Sequence, residues 1–276
     1  MSTTRFAPSP TGPLHLGHAY AALVARASAA AGRYLLRFED IDHTRIRPEY
    51  YDFARDDLAW LGLGPDRETP PQLERAARHR EFLDRLRALG VLYPCYCTRR
   101  EVAAEIAAMR SAPQGPEGPL YPGTCRGLDA GRQAGLEAEG RQPAWRLDAA
   151  RAASVVGPLA FHDRRHGRSD VDPGLLGDLV LGRKDIGTSY HLAVVIDDAD
   201  DGATRVTRGE DLLPATHGHR TLQALLDLPE PDYLHHRLVT DESGRRLAKR
   251  DDARAIRHFR EEGHTPADVL AMLPGL

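Results

Sequence analysis

Residues 3–18, TTRFAPSPTGPLHLGH, constrain the fold more than any other stretch of the chain. A short β-prone run meets a Pro/Gly turn, and a helix starts directly after it. That is the opening of a βα unit, and such units assemble into parallel sheets that bind ligands beyond the carboxyl ends of their strands. Pro10–Gly17 fall at that position. The helix, HLGHAYAALVARASAAAG, is expected to end at Gly32. Its N-terminus presents unpaired amides and the positive end of the helix dipole, a ready phosphate site. His15 and His18, three residues apart, share one face of the first turn, and Gly12 and Gly17 permit close approach of a nucleotide.

RYLLRFED reads as a second strand, and PEYYDFARDDLAWLGL and LERAARHREFLDRLRALG have helical spacing. From Val91 to Trp145 the pattern breaks, and SAPQGPEGPLYPGTC is expected to be an irregular loop. AWRLD, PLAFHD and TSYHLAVVIDDADDG then read as strands, RGEDLLPATHGHRTLQALLDL as a helix, and YLHHRLVTDESGRRLAKR as a strand and turn. The expected class is α/β, a parallel core carrying an insertion. The core's halves are 1–90 and 146–252, the insertion 91–145, and 253–276 a short helical appendage. Asp197, Asp198, Asp200 and Asp201 are expected at an acidic strand exit and loop rather than on a metal. His162 and His166 read as solvated or phosphate-neighbouring rather than catalytic, and RAIRHFR as a helix face.

A net charge of −3 and a pI near 6.5 give no global basic field, so a nucleic-acid partner must be held by local patches. No stretch is long and apolar enough to cross a membrane, and the N-terminus lacks a signal-peptide core; a cytoplasmic protein is expected. All three cysteines fall between Cys95 and Cys125, which favours a metal over disulfides. Zinc takes four ligands, and no histidine lies in that interval, so three thiolates leave one position to another group. The chain has only two lysines, Lys184 and Lys249. Lys249 lies in GRRLAKR, a basic loop of the kind that closes over phosphates.

RFAPSPTGPLHLGH resembles the signature of the class I glutamyl- and glutaminyl-tRNA synthetases, its second part being similar to their HIGH motif. Gly244–Arg250 is similar to the KMSKS loop, with Arg246 and Ala248 in place of the first lysine and the serine. RFED, TSYHLAVVIDD and RVTRGEDLL resemble the family's glutamate-binding stretches. The resemblance implies a Rossmann-type synthetase core with an inserted, zinc-containing, acceptor-binding-like module. It places Arg5, Phe6, Ala7, Pro8, Ser9, Glu39, Tyr190 and Arg208 around glutamate. Glu39 would face the ammonium; Arg5, Tyr190 and Arg208 would face carboxylates. His15, Gly17, His18 and Lys249 would bind ATP with its Mg²⁺, and His15, His18 and Lys249 would be catalytic. The spacing CxC…YxxxC resembles a zinc site of Cys95, Cys97 and Cys125 with Tyr121, or water, as fourth ligand.

The chain ends where a full glutamyl-tRNA synthetase would continue into an anticodon-binding domain. In that it is similar to the stand-alone glutamyl-Q tRNA(Asp) synthetases. This implies tRNA-independent glutamate activation and transfer to queuosine in the anticodon stem-loop of tRNA(Asp), by a monomer. Two other readings stay open: an ordinary or partial enzyme charging tRNA(Glu), and a catalytically inactive RNA-binding module.

Overall fold

The computed structural model describes residues 1–116, 118–240 and 254–276. Strands β1 (Thr3–Phe6) and β2 (Arg33–Leu36) pair in parallel, with Thr3 opposite Arg33 and Phe6 opposite Leu36, and α1 (Leu16–Ala29) makes the crossover. Gly32 is dictated by crowding, since a Cβ there would lie 2.0 Å from the Ser2 carbonyl oxygen. After α2 (Glu49–Trp60), β3 (Arg67–Glu68) adds to β2, also in parallel, and α3 (Ala76–Ala88) follows.

The middle of the chain holds more regular structure than its composition suggests. It runs β4 (Leu92–Cys95), α4 (Arg99–Ala108), β5 (Gln114–Gly115), β6 (Gly118–Pro119), α5 (Ala130–Ala138) and β7 (Ala144–Leu147). Strands β5 and β6 pair as an antiparallel ladder inside the Pro/Gly-rich stretch expected to be irregular. Gly118, at φ 113°, supplies a backbone conformation that other residues resist. Helix α4 has a capping box, Thr98 accepting from the Glu101 amide and Glu101 from the Thr98 amide.

Next come α6 (Ala149–Val156), β8 (Ala160–Asp163), β9 (Gly167–Asp170), β10 (Val180–Gly182), α7 (Tyr190–Asp200), β11 (Arg205–Gly209), α8 (Ala215–Leu226) and β12 (Asp232–His236). Strand β7 is flanked by β4 and β10, antiparallel to both. Strands β11, β12 and β8 run parallel, with β9 antiparallel at the edge. Thr204 N–H donates to the Thr3 carbonyl (3.0 Å), which sets β11 beside β1 and aligns the carboxyl ends of both parallel sheets. Short helices α9 (Ile256–Glu261) and α10 (Pro266–Ala271) contribute Ile256, Phe259 and Val269 to the core cluster that holds residues of α1 and α2.

Two expectations are corrected. TSYHLAVVIDDADDG contains α7, a helix rather than a strand; Asp197, Asp198 and Asp200 lie on its second half and Asp201 is its C-cap, so none stands at a strand exit. Leu192, Ala193, Val194, Val195 and Ile196 are all buried, because α3 and α8 enclose the helix. A helix covered on every side has no polar face, so its sequence reads as the continuous apolar run of a buried strand. The helix expected from Arg208 begins only at Ala215. RVTRG is β11, a short 3₁₀ turn covers Glu210–Leu212, and Pro214 stands immediately before the first helical residue, where a missing N–H does no harm. No helix among the described residues is long and apolar enough to cross a membrane.

Candidate active site

The turn after β1 uses its histidines to build the start of α1. His15 is the N-cap, and its Nδ1 accepts from the Gly17 amide (3.1 Å); His18 Nδ1 accepts from the His15 amide (3.2 Å). With Nδ1 accepting, a neutral ring carries its proton on Nε2, and both imidazoles stand in the first turn at the helix end. The chain that follows the GRRLAKR stretch returns here: Ala255 forms a bridge with His15, and Ile256 N–H donates to the Leu14 carbonyl (2.8 Å). Lys249 and the rest of that loop lie outside the described residues.

Beside this turn, the ends of β1, β2 and α7 meet in a buried lattice of charge. Asp198 accepts from Arg5 Nε (2.7 Å) and Nη2 (3.1 Å), and from Arg37 Nη2 (2.7 Å). Arg5 also donates to the Thr207 carbonyl (3.0 Å), and Arg37 to Asp201 (3.0 Å). Deeper in, Asp197 accepts from Gln72 and contacts His79 Nε2. Burial works against the charge of Asp198, but Arg5 and Arg37 outweigh it and hold its pKa below the ordinary carboxylate value.

Glu39 lies on the rim of this lattice with a long contact to Arg37 (3.5 Å), and burial raises its pKa against the pull of Arg37 and Arg5. A half-satisfied carboxylate of this kind suits an ammonium group. Within RFAPS, Phe6 is packed into the core and Pro8 is buried, while Ala7 and Ser9 keep access to solvent. The Phe6 carbonyl accepts from Arg37 N–H and the Pro8 carbonyl from Glu39 N–H, so the two strand exits are tied together.

Arg208, at the end of β11, is buried and held differently from Arg5. It donates to His235 Nε2 (3.0 Å), to His219 Nδ1 (2.9 Å) and to Thr216 Oγ1 (2.8 Å), with Tyr190 OH at 3.4 Å. Among the described residues no carboxylate pairs with it. Tyr190 opens α7; burial raises its pKa, while the charges of Arg208 and Arg5 lower it and Glu39 adds to the rise. Arg5, Glu39, Tyr190 and Arg208 therefore share one electrostatic site.

The three cysteines are free and cluster, their sulfurs all within 4.8 Å of one another. Cys97 Sγ lies 3.5 Å from Cys125 Sγ, and Tyr121 OH lies 3.4 Å from Cys95 Sγ and 3.7 Å from Cys97 Sγ. A tetrahedron with metal–sulfur arms of about 2.3 Å has sulfur–sulfur edges of about 3.8 Å, so the donor set fits one metal ion. The Arg146 guanidinium sits 3.8 Å above the Tyr121 ring. Burial raises Cys95's thiol pKa, but the Tyr121 hydroxyl and Arg146 together hold it below its ordinary value; burial pushes Cys97 up to about 12. Lys184 ties this unit to the core by donating to the carbonyls of Tyr96 (2.9 Å) and Cys97 (3.2 Å).

Sequence reasoning missed Arg37, Asp198, Thr216, His219 and His235. One signal was present: Thr216 and His219 are three apart on α8, and Tyr233 and His235 are two apart on β12, so each pair shares a face.

The family profile described as "tRNA synthetases class I (E and Q), catalytic domain" matches residues 1–275. The chain is 48% identical to a glutamyl-Q tRNA(Asp) synthetase of Rhodobacter capsulatus, covering 98% of this chain and 99% of that one. It is 37% identical to glutamate–tRNA ligase 2 of Alkalilimnicola ehrlichii over 99% of this chain and 58% of the ligase. A crystal structure of a glutamate tRNA ligase from Elizabethkingia meningosepticum in complex with its amino acid superposes with a TM-score of 0.78 at 27% identity. That likeness covers 96% of this chain and 58% of the ligase. The chain accordingly has the class I synthetase catalytic fold and belongs to the family of glutamyl- and glutaminyl-type tRNA synthetases, within its glutamyl-Q tRNA(Asp) synthetase branch.

Proposed function

We propose that the chain activates L-glutamate with ATP, without needing tRNA, and transfers the glutamyl group to queuosine at the wobble position of tRNA(Asp). One observation carries the choice of amino acid: Arg208 is a buried cation ringed by uncharged acceptors, which is a site waiting for a substrate carboxylate. Arg5 and Tyr190 complete that side of the pocket, Glu39 takes the ammonium, and Ala7, Ser9 and the backbone of Phe6 and Pro8 form its floor. The choice of acceptor rests on the kinship with glutamyl-Q tRNA(Asp) synthetases over nearly the whole chain.

The first step needs no protein nucleophile. The α-carboxylate of glutamate attacks the α-phosphorus of ATP, and pyrophosphate leaves with the electrons of the broken P–O bond. Catalysis is then positioning and charge stabilisation. His15 and His18 meet the phosphates at the helix end, Gly17 admits the nucleotide, Mg²⁺ arrives with ATP, and Lys249 neutralises the departing pyrophosphate. In the second step a hydroxyl of queuosine attacks the glutamyl carbonyl and AMP leaves. A cavity of about 700 Å³ between α4 and the start of α7, lined by Arg99, Arg146, Arg183 and Lys184, suits the RNA. We assign 1–90 and 146–252 to the catalytic core, 91–145 to a zinc-bearing insert and 253–276 to a helical appendage, in a cytoplasmic monomer.

The test supplies labelled glutamate with tRNA(Asp) carrying or lacking queuosine, and with unmodified tRNA(Glu). Pyrophosphate exchange should proceed without any tRNA, and label should appear only on the queuosine-containing RNA. It should survive periodate oxidation of the 3′ ribose beforehand. Charging of tRNA(Glu) would restore an ordinary synthetase; absence of exchange would leave an inactive module.

The insert's metal is zinc in this reading, held by Cys95, Cys97 and Cys125 with Tyr121 oxygen or a water. Elemental analysis of the purified protein should find one zinc per chain. Far less than one, with all three thiols freely titrated, would remove the metal from the account.

A further inference from the structure

Arg5 and Arg208 face the same site but are anchored in opposite ways. Arg5 is clamped by the carboxylate of Asp198, which cancels much of its charge locally. Arg208 is clamped by two imidazoles and a hydroxyl. We propose that His219 and His235 are positioning residues for glutamate binding: as neutral acceptors they aim the Arg208 guanidinium while leaving its charge for the substrate. The proposal rests on the reading of Arg208 as a glutamate-binding residue and adds how that residue is kept both oriented and cationic.

The hydrogen bonds determine the tautomers. His235 Nε2 accepts from Arg208, so its proton sits on Nδ1, which faces Asp163 Oδ2 at 2.7 Å. Asp163 is fixed in turn by the amides of Arg165, His166 and His235, each at 2.9 Å. The Thr216 hydroxyl accepts from Arg208 and lies 3.2 Å from His235 Nε2, closing the loop. His219 Nδ1 also accepts from Arg208, so its proton sits on Nε2, which faces His191 Nδ1 at 3.1 Å. Both rings are almost fully buried. A guanidinium has five N–H donors, and this cage with Tyr190 engages four, one of them only at 3.4 Å. The remaining Nη2 donor and the loosely held Nη1 donor are left for a ligand.

The chemistry favours imidazole at these two positions. A carboxylate there would pair with Arg208 and compete with the carboxylate of the substrate, whereas water or an amide would hold it less rigidly. Burial, reinforced by the charge of Arg208, lowers the pKa of His219 well below its ordinary value and that of His191 to about 4, so the rings stay uncharged beside the cation. Burial likewise lowers the pKa of His235, although Asp163 opposes the shift.

The experiment compares His219→Asn, His219→Ala, His219→Asp and His235→Gln by glutamate-dependent pyrophosphate exchange, with thermal melting as a check on folding. Asparagine places an amide oxygen near the Nδ1 position, and glutamine places one near Nε2. The Ala variant should raise the glutamate KM about tenfold to a hundredfold, the scale of one hydrogen bond to a charged group, with the ATP KM within about twofold. The Asn variant should recover most of that loss, and His235→Gln should keep the glutamate KM nearer that of the unaltered protein than His219→Ala does. The Asp variant decides the matter: it should melt at least as high as Ala yet bind glutamate worse. Rescue by Asp, or equal glutamate KM in all variants, would overturn the proposal. Nitrogen-15 shifts of the two imidazoles read the tautomers without substrate; Nε2–H on His235 or Nδ1–H on His219 would also overturn it. Absence of glutamate-dependent exchange in the unaltered protein would instead refute the substrate assignment, leaving the tautomer measurement as the test of the cage.

Discussion

Asp198→Asn is expected to lower the free energy of unfolding by about 3–5 kcal/mol, the usual cost of removing one partner from a buried ion pair. The carboxylate accepts three hydrogen bonds from two guanidiniums that are themselves almost wholly buried. Arg37 would keep Asp201 and a long contact to Glu39, whereas Arg5 would keep only the Thr207 carbonyl among the described residues. Asparagine retains one acceptor oxygen but turns an N–H₂ toward the cations, and leaves two like charges adjacent. Denaturant unfolding followed by circular dichroism would read the change.

The pH dependence has a definite sign. The folded pKa of Asp198 is depressed, so its contribution is present above the unfolded carboxylate value of about 3.9 and is lost as pH falls through the folded value. The gap between the two proteins should therefore be flat at neutral pH and close only in acid, below roughly pH 4. A gap under about 1 kcal/mol at neutral pH, the range of solvated pairs, would mean that water reaches the cluster.

This cluster also marks the limit of what one sequence discloses. The βα opening was legible because its determinants are adjacent: a Pro/Gly turn, two histidines and two glycines within a few positions. The cysteine site was legible for the same reason, with Cys95, Cys97, Tyr121 and Cys125 separated by one short module. Asp198 meets Arg5 across 193 positions of chain and Arg37 across 161, and nothing local announces either pairing. The error over α7 compounded the difficulty. As a strand, IDDADD alternates its carboxylates between opposite faces and ends in solvent. As a helix it turns Asp197, Asp198 and Asp201 toward the guanidiniums of Arg5, Arg37 and Arg75.

The positions expected around glutamate are placed differently from one another for a related reason. Arg5, Glu39, Tyr190 and Arg208 converge because each stands at or near the carboxyl end of a strand or the start of a helix. Phe6 turns its ring into the core because side chains alternate along β1 and its neighbour Arg5 takes the face toward Asp198. The histidines that cage Arg208 lie in HGHR and LHHR, which read as ordinary polar positions until α8 and β12 are packed against β11.

Lys249→Ala is expected to slow glutamyl-adenylate formation by about 10²–10³, the loss seen when one preorganised donor to developing charge is removed. Lys184, the only other lysine, is spent on the carbonyls of Tyr96 and Cys97. Six positions beyond Lys249, Ala255 is bridged to His15, at the helix end that would hold the triphosphate. Negative charge on pyrophosphate grows as its bond to the α-phosphorus breaks, whereas the charge of bound glutamate does not change in the same way. A cation on the leaving group should thus act on the transition state, lowering kcat and kcat/KM together while the glutamate KM stays nearly constant. Lys249→Arg should fall between the two proteins, because it keeps the charge but replaces a compact ammonium with a broad planar fork. Single-turnover adenylate formation at saturating ATP would measure the step directly. A variant that altered only the glutamate KM would move Lys249 from the phosphates to the amino-acid pocket.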